Sequence, residues 1–124
     1  MARASTIAPP GTELTENELL ARVFRTLGDA RRLHMLELVL RHGALSQSEL
    51  LEMTGIPQSR ASEHLRCLTW CGLLTAEWEG QRCIYRIADQ RAVIVLDVAR
   101  QFLKDNVGGI STCKVVQPGS TASC

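Results

Sequence analysis

Two of the five cysteines in this 124-residue chain, Cys67 and Cys71, stand four residues apart in a stretch with helical spacing. Side chains at i and i+4 share one helix face, with Cβ atoms about 5–6 Å apart. Two thiolates so placed can converge on one metal ion at roughly 2.3 Å from each sulfur. They cannot complete a coordination shell, so a third sulfur must come from elsewhere, and the tail offers Cys113 and Cys124. All-sulfur ligation selects soft ions, here Cd(II), Pb(II) or Hg(II) with arsenite a weaker candidate, over magnesium, calcium or manganese. The same spacing also suits two small buried hydrophobes, a common fate of cysteine, and spacing alone leaves both readings open. A redox switch is the third reading. The end of a helix opposes a bare thiolate, which favours metal over peroxide chemistry. An odd number of cysteines cannot all pair within one chain, so a disulfide framework is not expected.

A second chemistry lies at the start of the same stretch. Gln58, Ser59, Arg60, Ser62, Glu63 and His64 crowd its first two turns. These are short or forked hydrogen-bonding side chains of the kind that read base edges in a major groove, although a merely solvated face has the same composition. His64 lies three residues before Cys67 and is grouped with the base readers rather than the metal ligands. Net charge is only +1, but arginine supplies nearly all the positive charge, with Lys104 and Lys114 the only lysines. Arginine suits bidentate contacts to phosphate and guanine.

The elements that must position these residues are mostly helices. Pro57 suits a first helical turn and Gly72 the position after the last, while Ala61, Leu65 and Leu68 form the inward stripe. Before it, Ser46 and Glu49 make a capping box for a short helix whose Leu50, Leu51 and Met53 face inward, and Thr54-Gly55-Ile56 is a tight turn. Helix, glycine turn, helix is the form of a helix-turn-helix. Upstream, Thr15 and Glu18 cap a helix to about Leu27, and Asp29 caps another from about Ala30 to His42. After Gly72 the period becomes two: Leu74, Ala76 and Trp78, a turn at Glu79-Gly80, then Cys83, Tyr85 and Ile87, with Cys83 on the buried face. A last helix from about Gln90 to Asn106 is apolar nearly all round, so it must be covered on a second side, most simply by another copy of the chain. Leu19, Val23, Phe24, Val95 and Phe102 are the expected dimer contacts. Gly108-Gly109 is expected to end this helix.

The run from Leu27 to Ala88 resembles the ArsR/SmtB family of winged-helix metal-sensing repressors. The residues carrying the likeness are Leu27-Gly28-Asp29-Ala30-Arg31-Arg32-Leu33, Gln58-Ser59-Arg60-Ala61-Ser62-Glu63-His64-Leu65 and Gly80-Gln81-Arg82-Cys83-Ile84-Tyr85-Arg86-Ile87. Within the family it is most similar to the actinobacterial cadmium/lead sensors, which carry Cys-x-x-x-Cys-Gly at the end of the recognition helix and a further cysteine in the tail. That resemblance implies Cys67, Cys71 and Cys113 as metal ligands, with Cys124 as fourth or alternative ligand. Two other family sites have no counterpart. Leu45 and Gln47 stand where some sensors place a cysteine pair, and the last helix contains no histidine.

The expected architecture is therefore a mainly α, homodimeric winged helix-turn-helix with a two-stranded β-wing. Residues 1–12 form a disordered segment, 13–107 the DNA-binding and dimerisation domain, and 108–124 a flexible tail with a ligand cysteine. The expected function is a cytoplasmic repressor that binds double-stranded operator DNA and is released by a soft metal. Gln81 and Arg82 at the wing should touch the DNA backbone or minor groove. A redox-responsive repressor and a dimerisation module without DNA binding are the rivals. No phosphate loop, nucleophile elbow or carboxylate pair points to an enzyme or a small organic substrate. No signal peptide or membrane-spanning run is expected from the residues.

Overall fold

The computed structural model describes residues 13–115. The elements run α1 (Glu16–Leu27), α2 (Ala30–His42), β1 (Leu45–Ser46), α3 (Gln47–Thr54), α4 (Gln58–Trp70), β2 (Leu74–Glu79), β3 (Arg82–Ile87) and α5 (Gln90–Thr112). This is mainly helical with an antiparallel hairpin wing. The expectations for residues 1–12 and for Cys124 fall outside the described residues.

Polar caps set the helix boundaries. Thr15 N donates to Glu18 Oε1 at 2.8 Å and Glu18 N to Thr15 Oγ1 at 3.1 Å, closing the expected capping box of α1. Asp29 accepts from the amides of Arg31 and Arg32 at 2.9 and 3.1 Å to start α2. Ser46 and Glu49 reproduce the box at α3, at 2.8 and 3.1 Å. Each such cap contributes about 1 kcal/mol by satisfying amides that the first turn leaves orphaned. Pro57 opens α4 without a side-chain cap, and Gly72 turns the chain away with a left-handed φ of 85°.

The core is aliphatic. Met35, Leu36 and Val39 of α2, Leu50 of α3, and Ala61, Leu65 and Leu68 of α4 are almost wholly buried, joined by Leu74 and Tyr85 of the wing and Leu96 of α5. Each large side chain so buried stabilises the fold by roughly 1.5–3 kcal/mol. Cys83 is partly buried against this cluster, as its alternation with Tyr85 predicts. Burial and the neighbouring Cys83 push the Tyr85 hydroxyl up to about 12.

Four details differ from the sequence expectation. A two-residue strand, β1, adds to β3 through Leu45↔Tyr85 and Ser46↔Ile84, so the sheet has three strands in the order β1-β3-β2. The wing turn is Gly80-Gln81 rather than Glu79-Gly80, because Glu79 pairs with Arg82. Met53 is exposed, while Leu50 and Leu51 carry the contact of α3 with the core. Helix α5 does not stop at Gly108-Gly109. Its backbone breaks at Asn106 (φ −129°, ψ 18°) and resumes to Thr112, with Asn106 Nδ2 donating to the Phe102 carbonyl at 2.9 Å.

Candidate nucleic-acid interface and thiol site

Helix α4 carries both predicted chemistries and separates them along its length. At its start Gln58, Ser59, Arg60 and Glu63 are exposed. Arg60 makes no ion pair among the described residues, whereas Arg82, Arg86, Arg91 and Arg100 all face carboxylates. An exposed, unneutralised guanidinium at the start of a helix-turn-helix second helix is placed to meet phosphate or guanine. Ser62, half-buried, accepts a hydrogen bond from Gln47 Nε2 at 2.9 Å. Beside α4, Gln81 occupies the wing turn in the open, and Arg82 reaches Glu49 at 3.3 Å across a largely exposed pair. Such a pair is worth at most about 1 kcal/mol, so it orients Arg82 without withholding it from a polyanion.

His64 is a correction. It is only 8% exposed, packed on the inward side of α4, and its Nε2 has no hydrogen-bond partner among the described residues. A ring so covered does not reach a base edge. The cause is visible in the spacing: residue 64 lies three after Ala61 and four before Leu68, so it belongs to the inward stripe. Burial pushes its pKa below the ordinary value. The Asp29 carboxylate opposes that, and Arg32, Arg31 and Arg60 add to it. In turn burial works to raise Asp29, but the Arg32 amide, His64, the Arg31 amide and the Arg32 charge together hold it below the usual carboxylate range.

At the far end of α4, Cys67 is buried but is not part of the contiguous aliphatic cluster. Cys67 is disulfide-bonded. Cys71 caps the helix, its amide donating to the Cys67 carbonyl at 3.0 Å, and its side chain is exposed. Cys71 Sγ lies 3.7 Å from the Thr26 hydroxyl, which is also 2.9 Å from the Arg22 carbonyl. Together with Trp70, Leu19 and Val23, these residues line a cleft of about 460 Å³ between α1 and the end of α4. Cys113 is exposed just past α5. Within one chain, no group of three or more His, Cys, Asp or Glu side chains converges among the described residues. Once Cys67 is reduced, the pair Cys67/Cys71 has the donor chemistry for a soft ion, and a third sulfur is needed to complete its shell.

The apolar faces expected to meet a second copy are open. Val23, Phe24, Val95 and Phe102 are exposed, as are Leu20, Ile94 and Val98 beside them, while Leu19 is half-buried at the cleft. Sequence reasoning gave Gln47, Glu49 and Arg32 no part in a site and did not single out Thr26. The buried Arg32 donates through Nε to the Thr26 carbonyl at 2.8 Å and through a terminal nitrogen to the Arg25 carbonyl at 3.0 Å, completing the end of α1. No helix among the described residues is long and apolar enough to cross a membrane.

Comparison with known proteins agrees with this geometry. Residues 29–76 match the family model described as bacterial regulatory protein, arsR family. The chain is 35% identical over 112 residues to a probable mercury resistance operon repressor of Streptomyces lividans, covering 90% of this chain and 89% of that one. It is 39% identical over 70 residues to the HTH-type transcriptional regulator CmtR of Mycobacterium tuberculosis, spanning 56% of this chain and 58% of that one. Among solved structures, it is similar to the homodimeric winged helix-turn-helix DNA-binding domain Mb0332 of Mycobacterium bovis, a possible ArsR-family transcriptional regulator. The TM-score is 0.61 at 30% identity, over 79% of this chain and 92% of that one.

Proposed function

The chain belongs to the arsR family of bacterial regulatory proteins, and on that premise we propose that it is a homodimeric transcriptional repressor released from operator DNA by a soft, thiophilic metal ion. The observation that carries the DNA half is the exposed start of α4, where Gln58, Ser59, Arg60 and Glu63 stand clear of the core beside the wing residues Gln81 and Arg82. Two such helices in a dimer enter successive major grooves of a near-palindromic site. The open apolar faces of α1 and α5 support the dimer, because exposed apolar side chains grouped along two helices call for a cover. Lone surface hydrophobes would not.

Cys67 and Cys71 would hold the metal, with Cys113 as third ligand and Cys124 as fourth or alternative. The metal supplies a dipositive centre that favours ionised thiols, so affinity rises with pH as protons are released. The name of the Streptomyces lividans relative points to mercury, and the all-sulfur donor set extends that to cadmium and lead. The metal would draw the end of α4 toward the tail and so reorient the start of the same helix. Linkage then requires DNA to weaken metal binding by the same factor. A thiol-oxidation switch of the same fold is the second reading, and the disulfide at Cys67 is what favours it.

One titration tests both. Fully reduced protein bound to a duplex selected from a random pool is titrated with Hg(II), Cd(II), Pb(II), arsenite and Zn(II), then separately with hydrogen peroxide. Thiolate-to-metal absorbance is read alongside DNA release. The proposal expects release by a soft ion with sulfur-to-metal charge transfer. Release by peroxide alone, with no metal response, transfers the function to the redox reading.

A further inference from the structure

The first turn of α3 touches both devices that face DNA. Gln47 Nε2 donates to Ser62 Oγ on α4 at 2.9 Å. Two residues on, Glu49 pairs with Arg82 at the base of the wing turn at 3.3 Å, through the same Oε1 that accepts from the Ser46 amide at 2.8 Å. Ser46 in turn pairs with Ile84 in β3, so this end of α3 is fixed to the sheet by backbone as well. Helix α4 has no comparable anchor of its own at its start, since Pro57 caps it without a side-chain bond. The Gln47–Ser62 hydrogen bond is a polar tie between the two helices of the helix-turn-helix, and both partners are half-buried, which shelters it from competing water.

We infer that Gln47 is a positioning residue for DNA recognition, that it acts by holding Ser62 and with it the angle of α4 against α3 and the wing, and that Ser62 is consequently a strut and not a base reader. This inference rests on the DNA-binding reading above. A bidentate contact from Arg60 or Gln58 tolerates little angular error, so a tie one turn further along the helix is felt as lost sequence discrimination. Contacts to phosphate are more forgiving, and binding to arbitrary sequence should be indifferent to the tie.

The test is a double-mutant cycle. Wild-type protein enriches a duplex of about 30 base pairs from a random pool, long enough for two half-sites one helical turn apart. Affinities of wild type, Gln47→Ala, Ser62→Ala and the double variant are then measured on that duplex and on a mixed-sequence duplex of equal length, with thermal midpoints in parallel. Each single variant should weaken the selected duplex by roughly three- to tenfold, the scale of one hydrogen bond, and the double variant should lose no more than either. Mixed-sequence binding and its salt slope should hold steady, the thermal midpoint should fall by no more than the few degrees that one hydrogen bond is worth, and Ser62→Thr, which keeps a hydroxyl, should restore the wild-type value. A merely structural role would lower the thermal midpoint and both affinities together, and would overturn the assignment. So would additive losses, or a loss from Ser62→Ala with none from Gln47→Ala, either of which makes Ser62 a direct contact. A wild-type protein that enriches no duplex brings down the DNA-binding reading and this assignment with it.

Discussion

The two ends of α4 are built by opposite rules. The start is open and polar, capped by Pro57 alone and tied sideways through Ser62 to Gln47. The end is mixed, with Cys67 buried, Cys71 exposed at the lip of a cleft that α1 also lines, and Gly72 turning the chain into the wing. Between them Ala61, Leu65 and Leu68 lock the middle of the helix into the core. A rod gripped at its centre transmits a displacement of one end to the other, and bending it in the middle would disturb several buried leucines. The difference teaches how, on the proposed function, reading and sensing would share one helix with the core between them.

The sharpest way to break that contrast is to remove a sulfur. Cys67→Ser and Cys71→Ser should each bind the selected duplex as wild type does and stay bound when metal is added. Wild type should weaken on the order of a hundredfold, near the upper end of ordinary allosteric coupling. Fluorescence anisotropy with and without Hg(II) checks this. Loss of DNA binding in the apo serine variants would mean that the two ends are not separable. At the other end, Arg60→Ala should cost roughly tenfold or more on the selected duplex, the scale of a lost base contact, while metal affinity of the free protein stays put. Arg82→Ala should cost only a few-fold, about equally on selected and mixed sequence, and should lower the salt slope by about one. Parallel salt titrations separate those two arginines.

The smallest effect concerns pH and the middle of the helix. His64 has a folded pKa below its ordinary value of 6.5, chiefly because burial disfavours the imidazolium. As pH falls below the unfolded value, the unfolded chain takes up a proton that the folded chain refuses. His64 therefore contributes stability that is present in full above about pH 6.5 and is gone once pH has fallen through the folded pKa. Asp29, also depressed, adds a second loss in a lower window, below its ordinary value of 3.8. Urea midpoints for His64→Gln should be flatter than wild type between pH 7 and pH 5, with the acid limb below pH 4 retained. An unchanged slope would place His64 in contact with solvent.

Much of this was legible because the caps are chemical. Thr15, Asp29 and Ser46 announce helix starts by residue type, and the change from helical to alternating spacing after Gly72 announces the wing. The orientation of His64 was legible too, from its place between Ala61 and Leu68, but its polar character masked it. Strand β1 was not: two residues have no period, and they become a strand only because β3 presents an edge. Nor was the Gln47–Ser62 bond, made between residues 15 apart whose meeting depends on the angle between two helices. The glycine pair near the end of α5 misled for a physical reason. Gly108 and Gly109 raise the cost of helix without forbidding it, whereas Asn106 turns its side chain back on the Phe102 carbonyl and interrupts the helix there.

Arg32 deserves a last consequence. Helix α1 buries only Thr26 of its own residues, and the guanidinium of Arg32 clasps the carbonyls of Arg25 and Thr26 at the same end. Within one chain α1 is thus fastened through its last turn, at the end nearest Cys71, with much of its remaining face open. Hydrogen exchange along α1 should therefore grade from slow near Leu27 to fast near Leu19 in a lone chain, and that gradient should vanish wherever another surface closes on the loose side.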